Sequence, residues 1–226
     1  MSHPLDRPVW SALATRQAAL NAGGATAKRF PLDISPLAAA RDASTEAVIA
    51  LATLIATGDD ISLLEATPPA PPSGVAEPTR LGAVQMVLKA LTPGPDVAFE
   101  ALGDADAAEM LALALLTKPG PFRARTHTMG RFIGVRAQGK LVAMAGERLQ
   151  PEGFTEVSGV CTHPDFRGRG YAAALSRAVA HRIVSEGATP FLHAYAANVA
   201  AIKLYQTLGF EIRSDAITHA VWRRAQ

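Results

Sequence analysis

The sequence predicts an α/β fold, a mixed sheet covered by helices, and three observations carry the prediction. Strand-like and helix-like segments alternate through the second half of the chain. Several neighbouring strand segments are close enough for hairpins, with Gln138-Gly139 as one connecting turn. A strand-like run ending at Thr162 passes through a basic glycine loop into a helix. The 226 residues, 49% hydrophobic and 19% charged, allow one large domain or two modest ones with ample core material. A net charge of +2 does not argue for nucleic acid or a membrane surface as partner. Cys161, the single cysteine, excludes an intrachain disulfide and a cysteine-rich zinc cluster, and no metal is expected. No apolar run reaches the ~18 residues that span a bilayer, and no secretory h-region follows Asp6 and Arg7, so a cytoplasmic protein is expected.

Taken in order, Pro8 to Leu20 places Val9, Leu13 and Leu20 among helix formers, with Gly23-Gly24 as the stop. Ser44 caps a clearer helix running to Thr57, striped by Val48, Leu51, Leu54 and Ile55 and ended by Gly58. Ile61 to Glu65 reads as a short strand, and the proline-rich Thr67 to Pro78 as an extended linker. Leu81 to Leu91 fits strand or helix equally. Thr92-Pro93-Gly94-Pro95 is the sharpest break, dividing an accessory α/β region, 1–94, from a domain spanning 95–226. The first region carries no catalytic constellation; it reads as a candidate degenerate half-repeat that shapes an acceptor site or an oligomer interface.

Beyond the break, Val97 to Leu102 reads as a strand, and Gly103-Asp104 opens a helix that stops before Lys118-Pro119-Gly120-Pro121. Strands follow at Arg131 to Arg136, Leu141 to Leu149 and Phe154 to Thr162. A helix spans Tyr171 to Ser185, closed by Gly187; Phe191 to Tyr195 is a buried-type strand. A helix from Asn198 to Leu208 ends on Gly209, and Ile217 to Trp222 gives the last strand.

The chemistry gathers at Val160 to Leu175. Pro164 ends the strand, Gly168 and Gly170 let backbone approach a ligand closely, and Arg167 and Arg169 add positive charge. The helix N-terminus that follows turns its free N–H groups and dipole on the same spot, making an anion cradle suited to a pyrophosphate. Gly168-x-Gly170-x-x-Ala173 formally matches a dinucleotide-binding fingerprint, but its context fails. Five residues, His163 to Arg167, separate strand from glycines, and no acidic residue closes the strand starting at Pro190-Phe191. No Gly-Lys-Ser/Thr follows, which excludes a Walker-type loop.

Parsed instead as Arg167-x-x-Gly170-x-Ala172 after Val160-Cys161-Thr162, the loop resembles the acetyl-CoA loop of the GNAT superfamily of N-acetyltransferases. Downstream, Asn198-x-x-Ala201-Ile202-x-Leu204-Tyr205-x-x-Leu208-Gly209-Phe210 is similar to that superfamily's signature in its last helix. The resemblance covers roughly residues 96 to 224. It implies a mixed, largely antiparallel sheet whose fourth and fifth strands splay apart around acetyl-CoA as co-substrate. The pyrophosphate would take backbone N–H groups from Gly168, Arg169, Gly170, Tyr171 and Ala172, with Arg167 beside them. The pantetheine arm would lie along Val160, Cys161 and Thr162, and Asn198 would join the cofactor site. The implied partners are acetyl-CoA and an amine acceptor, without nucleic acid or membrane, and a homo-oligomer stays open.

Direct transfer to an amine needs a neutral nucleophile, oxyanion stabilisation and a proton for the departing thiolate. Neutralising a lysine-like amine at pH 7 costs roughly 4–5 kcal/mol, so a base is useful. Glu156 is the leading base: alternation from Phe154 puts Glu156, Ser158, Val160 and Thr162 on one face. Its place eleven residues before Arg167 also matches that of the basic glutamate in some GNAT enzymes. A salt-bridged strand carboxylate is the competing reading, and His163 and His193 are the other bases. Tyr205 is the acid, protonated at neutral pH and sharing a helix face with Asn198, against a plain core role. Cys161 alternates away from Glu156 and reads as a buried small residue. Arg123, Arg125, His127 and Arg131 read as a solvated basic face, with contact to cofactor phosphates or an acidic substrate as the alternative. Lys118 to Phe122 falls where the superfamily's acceptor loop is expected. The competing function class is a non-catalytic acyl-CoA-binding sensor or scaffold, which would need neither Glu156 nor Tyr205.

Overall fold

The computed structural model describes residues 3–225. The chain opens with α1 (Pro8–Ala14), followed by a small antiparallel pair, β1 (Ala27–Arg29) and β2 (Ala38–Ala40). Next come α2 (Thr45–Thr53), β3 (Asp60–Glu65) and β4 (Thr79–Leu88). Ser44 caps α2 as its sequence requires, its hydroxyl accepting from the Ala47 N–H. The segment compatible with strand or helix is a strand, β4: Val84, Met86 and Leu88 face one core cluster while Ala83 and Val87 face another. Period 2 wins over helix propensity because both faces are covered.

The remaining elements are β5 (Glu100–Leu102), α3 (Ala107–Thr117), β6 (Phe132–Ala137), β7 (Lys140–Glu147), β8 (Phe154–Thr162), α4 (Tyr171–Ser185), β9 (Thr189–Tyr195), α5 (Val199–Thr207) and β10 (Phe210–Arg223). Eight strands form one sheet in the order β3-β10-β4-β9-β8-β7-β6-β5. Every neighbouring pair is antiparallel except β8–β9. α4 lays Leu175, Val179 and Ile183 on one face of the sheet, where α5 adds Tyr205 and Leu208. α1 packs Val9 and Leu13 with Phe191 and Ile217, and α3 packs Met110 and Leu113 with Phe132 and Met144.

The break at Thr92-Pro95 does not separate two sheets. β4, from the accessory region, is inserted between β10 and β9, and β3 borders β10. The break itself is pinned to α4 by Arg177, whose Nε and Nη1 donate to the Thr92 and Pro95 carbonyls at 3.1 and 2.9 Å. Of the basic cluster read as a solvated face, Arg125 and Arg131 are exposed, Arg123 is half-buried and His127 is buried, and each is paired across the chain. Arg123 meets Asp59 and Asp60 at 3.3 and 2.7 Å, Arg125 meets Asp33 at 3.1 Å, His127 meets Asp104 at 2.8 Å, and Arg131 meets Glu186. The first two fasten the N-terminal region onto the rest of the fold.

Gly209 stands at φ +95°, and a Cβ there would meet the Ala90 carbonyl oxygen at 1.8 Å. The turn carries β10 in beside β4, with the Lys89 N–H donating to the Gly209 carbonyl at 3.0 Å. Gly209→Ala is therefore expected to destabilise the protein by about 2–3 kcal/mol, read as a lower urea midpoint at unchanged m.

Candidate active site

β8 and β9 pair in parallel only from Phe154 and Thr189 to Glu156 and Phe191. Beyond that point the strands diverge, and a cleft of about 500 Å³ opens between them. β8 also carries a bulge: Gly159 and Val160 together oppose Ala145, with Gly159 at φ +64°. The extra residue reverses the alternation. Val160 joins Val157 in the cluster under α4 and α5, while Cys161 joins the cluster under α3. The expected single face from Glu156 through Ser158 to Val160 and Thr162 is therefore broken at Gly159, a local backbone feature that residue types alone do not announce.

At the mouth of the cleft the chain turns through Gly168 (φ +76°) and Gly170 (φ +78°) into α4. Among the described residues, the six consecutive N–H groups from Gly168 to Ala173 donate to no protein acceptor; the next, Ala174, returns to the Gly170 carbonyl at 3.0 Å. A Cβ on either glycine would project into open space. Arg167 and Arg169 stand beside these amides without an acidic partner among the described residues, Arg169 stacked 4.9 Å above the Phe166 ring. Unpaired amides, a helix N-terminus and two free guanidinium groups together fit a phosphate-bearing ligand. Farther in, the Thr162 Oγ1 is buried without a partner in the same wall. Asn198 lines the cleft and caps α5, its Oδ1 accepting from the Ala201 N–H at 3.1 Å.

Tyr205 projects from α5 into the cleft, 9% exposed, its ring edge-on to Phe210 at 6.1 Å. No protein group among the described residues hydrogen-bonds its hydroxyl. Burial, with the nearby Cys161 adding to it, pushes the phenol above its ordinary range, so the group is a protonated donor at neutral pH. Burial likewise pushes the Cys161 thiol up to about 11, which removes it as a nucleophile.

Glu156 does not face the cleft. It is fully buried and gripped by Arg148, whose Nε and Nη2 each donate to one carboxylate oxygen at 2.8 Å. His193 Nδ1 meets the same carboxylate at 2.7 Å. Burial pushes this carboxyl up, but the Arg148 charge and its hydrogen bonds, helped by His193, outweigh burial and hold it well below the usual carboxylate range. So deeply ionised a carboxylate, with both oxygens engaged, is a poor proton acceptor. The expectation of Glu156 as direct base is corrected accordingly: the residue that reaches the cleft is His193. Gln85 fixes the tautomer. Its Oε1 accepts from Arg213 at 2.8 Å and its Nε2 donates to the Leu5 carbonyl at 2.8 Å. The amide nitrogen therefore also donates to His193 Nε2 at 3.0 Å, leaving the imidazole proton on Nδ1, toward Glu156. His163, the other base considered, lies outside this group; its Nδ1 accepts from the Asp165 N–H at 3.3 Å as an ordinary cap.

The deeper wall holds residues that sequence reasoning did not single out: Arg148, Tyr195 and His219 on the sheet, and Leu37 and Leu64 from the N-terminal region. The Tyr195 hydroxyl and His219 Nδ1 are 3.2 Å apart. Burial, with Arg148 close by, lowers His219 to about 4, so its ring is neutral at pH 7. Thr117, at the end of α3, and the Lys118 to Pro121 segment after it also line the cleft.

A family model described as FR47-like protein matches residues 132–222. A crystal structure from Novosphingobium aromaticivorans, assigned as an acetyltransferase from the GNAT family, is 42% identical, with a TM-score of 0.92 and 100% of both chains covered. A GCN5-related N-acetyltransferase from Kribbella flavida shares the fold at 18% identity and a TM-score of 0.64, covering 97% of this chain and 96% of that one. No curated protein matches the sequence. The whole-chain match extends through residues 1–94, so the inserted strands belong to an architecture this chain shares with the first of these structures.

Proposed function

This chain belongs to the GNAT family of acetyltransferases, and from that premise we propose that it transfers an acetyl group from acetyl-CoA directly to a primary amine. The observation that carries the reading is the run of six unpaired amides from Gly168 to Ala173 at the open end of the β8–β9 cleft. Acetyl-CoA supplies the activated acyl group when bound. Gly168 to Ala172 would hold its pyrophosphate with Arg167 and Arg169, while Val160, Cys161 and Thr162 would flank the pantetheine arm. A backbone N–H near the bulge would serve the oxyanion.

His193 takes the proton of the incoming amine on Nε2 once that nitrogen exchanges the Gln85 N–H for the amine, and Glu156, locked on Nδ1, holds the ring in the tautomer this requires. Tyr205 gives its proton to the departing sulfur. Both side chains line one cleft, which favours an enzyme over a sensor that only binds the acyl-CoA.

The test pairs binding with turnover. Isothermal titration of acetyl-CoA should give a saturable 1:1 complex, and Gly170→Ala should weaken it about tenfold, the equivalent of one lost or misaimed hydrogen bond. The added methyl meets no protein atom within 4 Å, but Gly170 stands at φ +78°, so thermal unfolding measured alongside separates backbone strain from a change in the cradle. A thiol-release screen of amines then identifies acceptors. A protein that binds acetyl-CoA yet acetylates none of a broad amine panel would be the sensor instead.

A further inference from the structure

The deep compartment of the cleft has an unusual charge composition. Four cationic side chains line the cleft as a whole, Lys118, Arg148, Arg167 and Arg169, and no Asp or Glu does. Arg167 and Arg169 sit at the cradle, and Arg148 sits beside Glu156 and His193. Arg148 is 7% exposed and spends only Nε and one Nη2 hydrogen on Glu156; its Nη1 has no partner among the described residues. His219 is equally buried, and its Nε2 has no partner either. A phenol is the better donor and an imidazole nitrogen the better acceptor, so Tyr195 donates to Nδ1 and Nε2 carries the free proton. Both residues line the cleft, as do the apolar Leu37 and Leu64. Left unmet, the buried His219 donor costs about 1–3 kcal/mol, so the arrangement is built to be completed by something that accepts.

We propose that the acceptor is an amine that also carries a carboxylate on a short apolar frame, of which a free amino acid is the simplest case. The carboxylate receives hydrogen bonds from Arg148 and His219, the frame lies against Leu37 and Leu64, and the amine is left toward His193 and the acyl group. A polycationic acceptor finds no counter-charge in this cleft and meets Arg148 and Lys118 instead. This assignment rests on the acetyltransferase reading above and concerns its acceptor alone.

Equilibrium titration tests it without turnover. N-Acetylalanine and N-acetylleucine, with their carboxamides as neutral counterparts and putrescine as a dication, are titrated into the protein with and without coenzyme A. The expected result is that at least one acid binds about tenfold or more tighter than its amide, and that His219→Phe narrows the ratio to about threefold or less. Tyr195→Phe, which frees the imidazole to turn, should narrow it in the same direction if His219→Phe does not fold. Equal binding of acid and amide, binding of neither, or preference for putrescine overturns the inference. Acid preference that survives while coenzyme A fails to bind would instead overturn the cofactor reading and leave only the carboxylate site standing.

Discussion

Tyr205→Phe is expected to lower kcat about 100-fold while leaving the acetyl-CoA dissociation constant within about twofold, a general-acid effect in the middle of its usual range. The phenylalanine ring keeps the contacts that Tyr205 makes with Phe210 and the cluster beneath α5, so packing is preserved. Only the hydroxyl is lost, and it has no protein partner among the described residues, so its removal strands no other group. The objection that a phenol raised by burial is too weak an acid is met by the environment. Cys161, a thiol in the same wall, is pushed up to about 11, and the same dry surroundings raise the proton affinity of a departing thiolate. Donor and acceptor therefore move together, and the transfer stays closer to balance than the free values suggest. Steady-state kinetics over pH, with titration calorimetry for binding, decides the matter. A fall in affinity and in thermal stability together, with little change in kcat, would make Tyr205 a packing residue.

How far this site could be read in advance depended on the range of the interactions. The cradle is local: a strand end, a proline, two glycines and a helix start lie within a dozen residues, and backbone geometry follows from them. The α5 signature is local too, and its capping Asn198 and terminating Gly209 sit where their residue types require. The base was misassigned for two reasons, one in the local backbone and one non-local. The bulge at Gly159 changes which side chains share a face, and Arg148 meets Glu156 only because β7 folds back on β8. Nothing near Arg148 in sequence marks it as buried. The role of residues 1–94 was equally hidden: β4 pairs with β9 and β10, and β3 with β10, each more than a hundred residues away, and only those pairings bring Ala83 and Leu64 into the wall of the cleft. A proline-rich break in composition marked a turn in the chain, not a division of the fold.

Glu156→Gln is expected to destabilise the protein by about 3–5 kcal/mol at pH 7, the cost of stranding a buried cation. Arg148 would face a neutral amide, one end of which presents N–H groups either to the guanidinium or to the His193 Nδ1 proton. The pH dependence separates this effect from simple misfit. A glutamate whose folded value is depressed contributes stability that is complete above its unfolded value of 4.5 and disappears as pH falls through the folded one. His219 acts in a different window. Its folded value of about 4 lies below the unfolded 6.5, so stability declines between those limits as the unfolded chain takes up the proton first. Urea unfolding of the wild type should thus show two successive losses on acidification. The Glu156→Gln variant should start lower, keep the loss between pH 6.5 and 4, and lack most of the one below 4.5. Turnover should fall as well, because His193 loses the charge that holds its tautomer. Parallel stability curves for the two proteins across the acid range would mean that the Arg148–Glu156 pair is not what ties this wall of the cleft to pH.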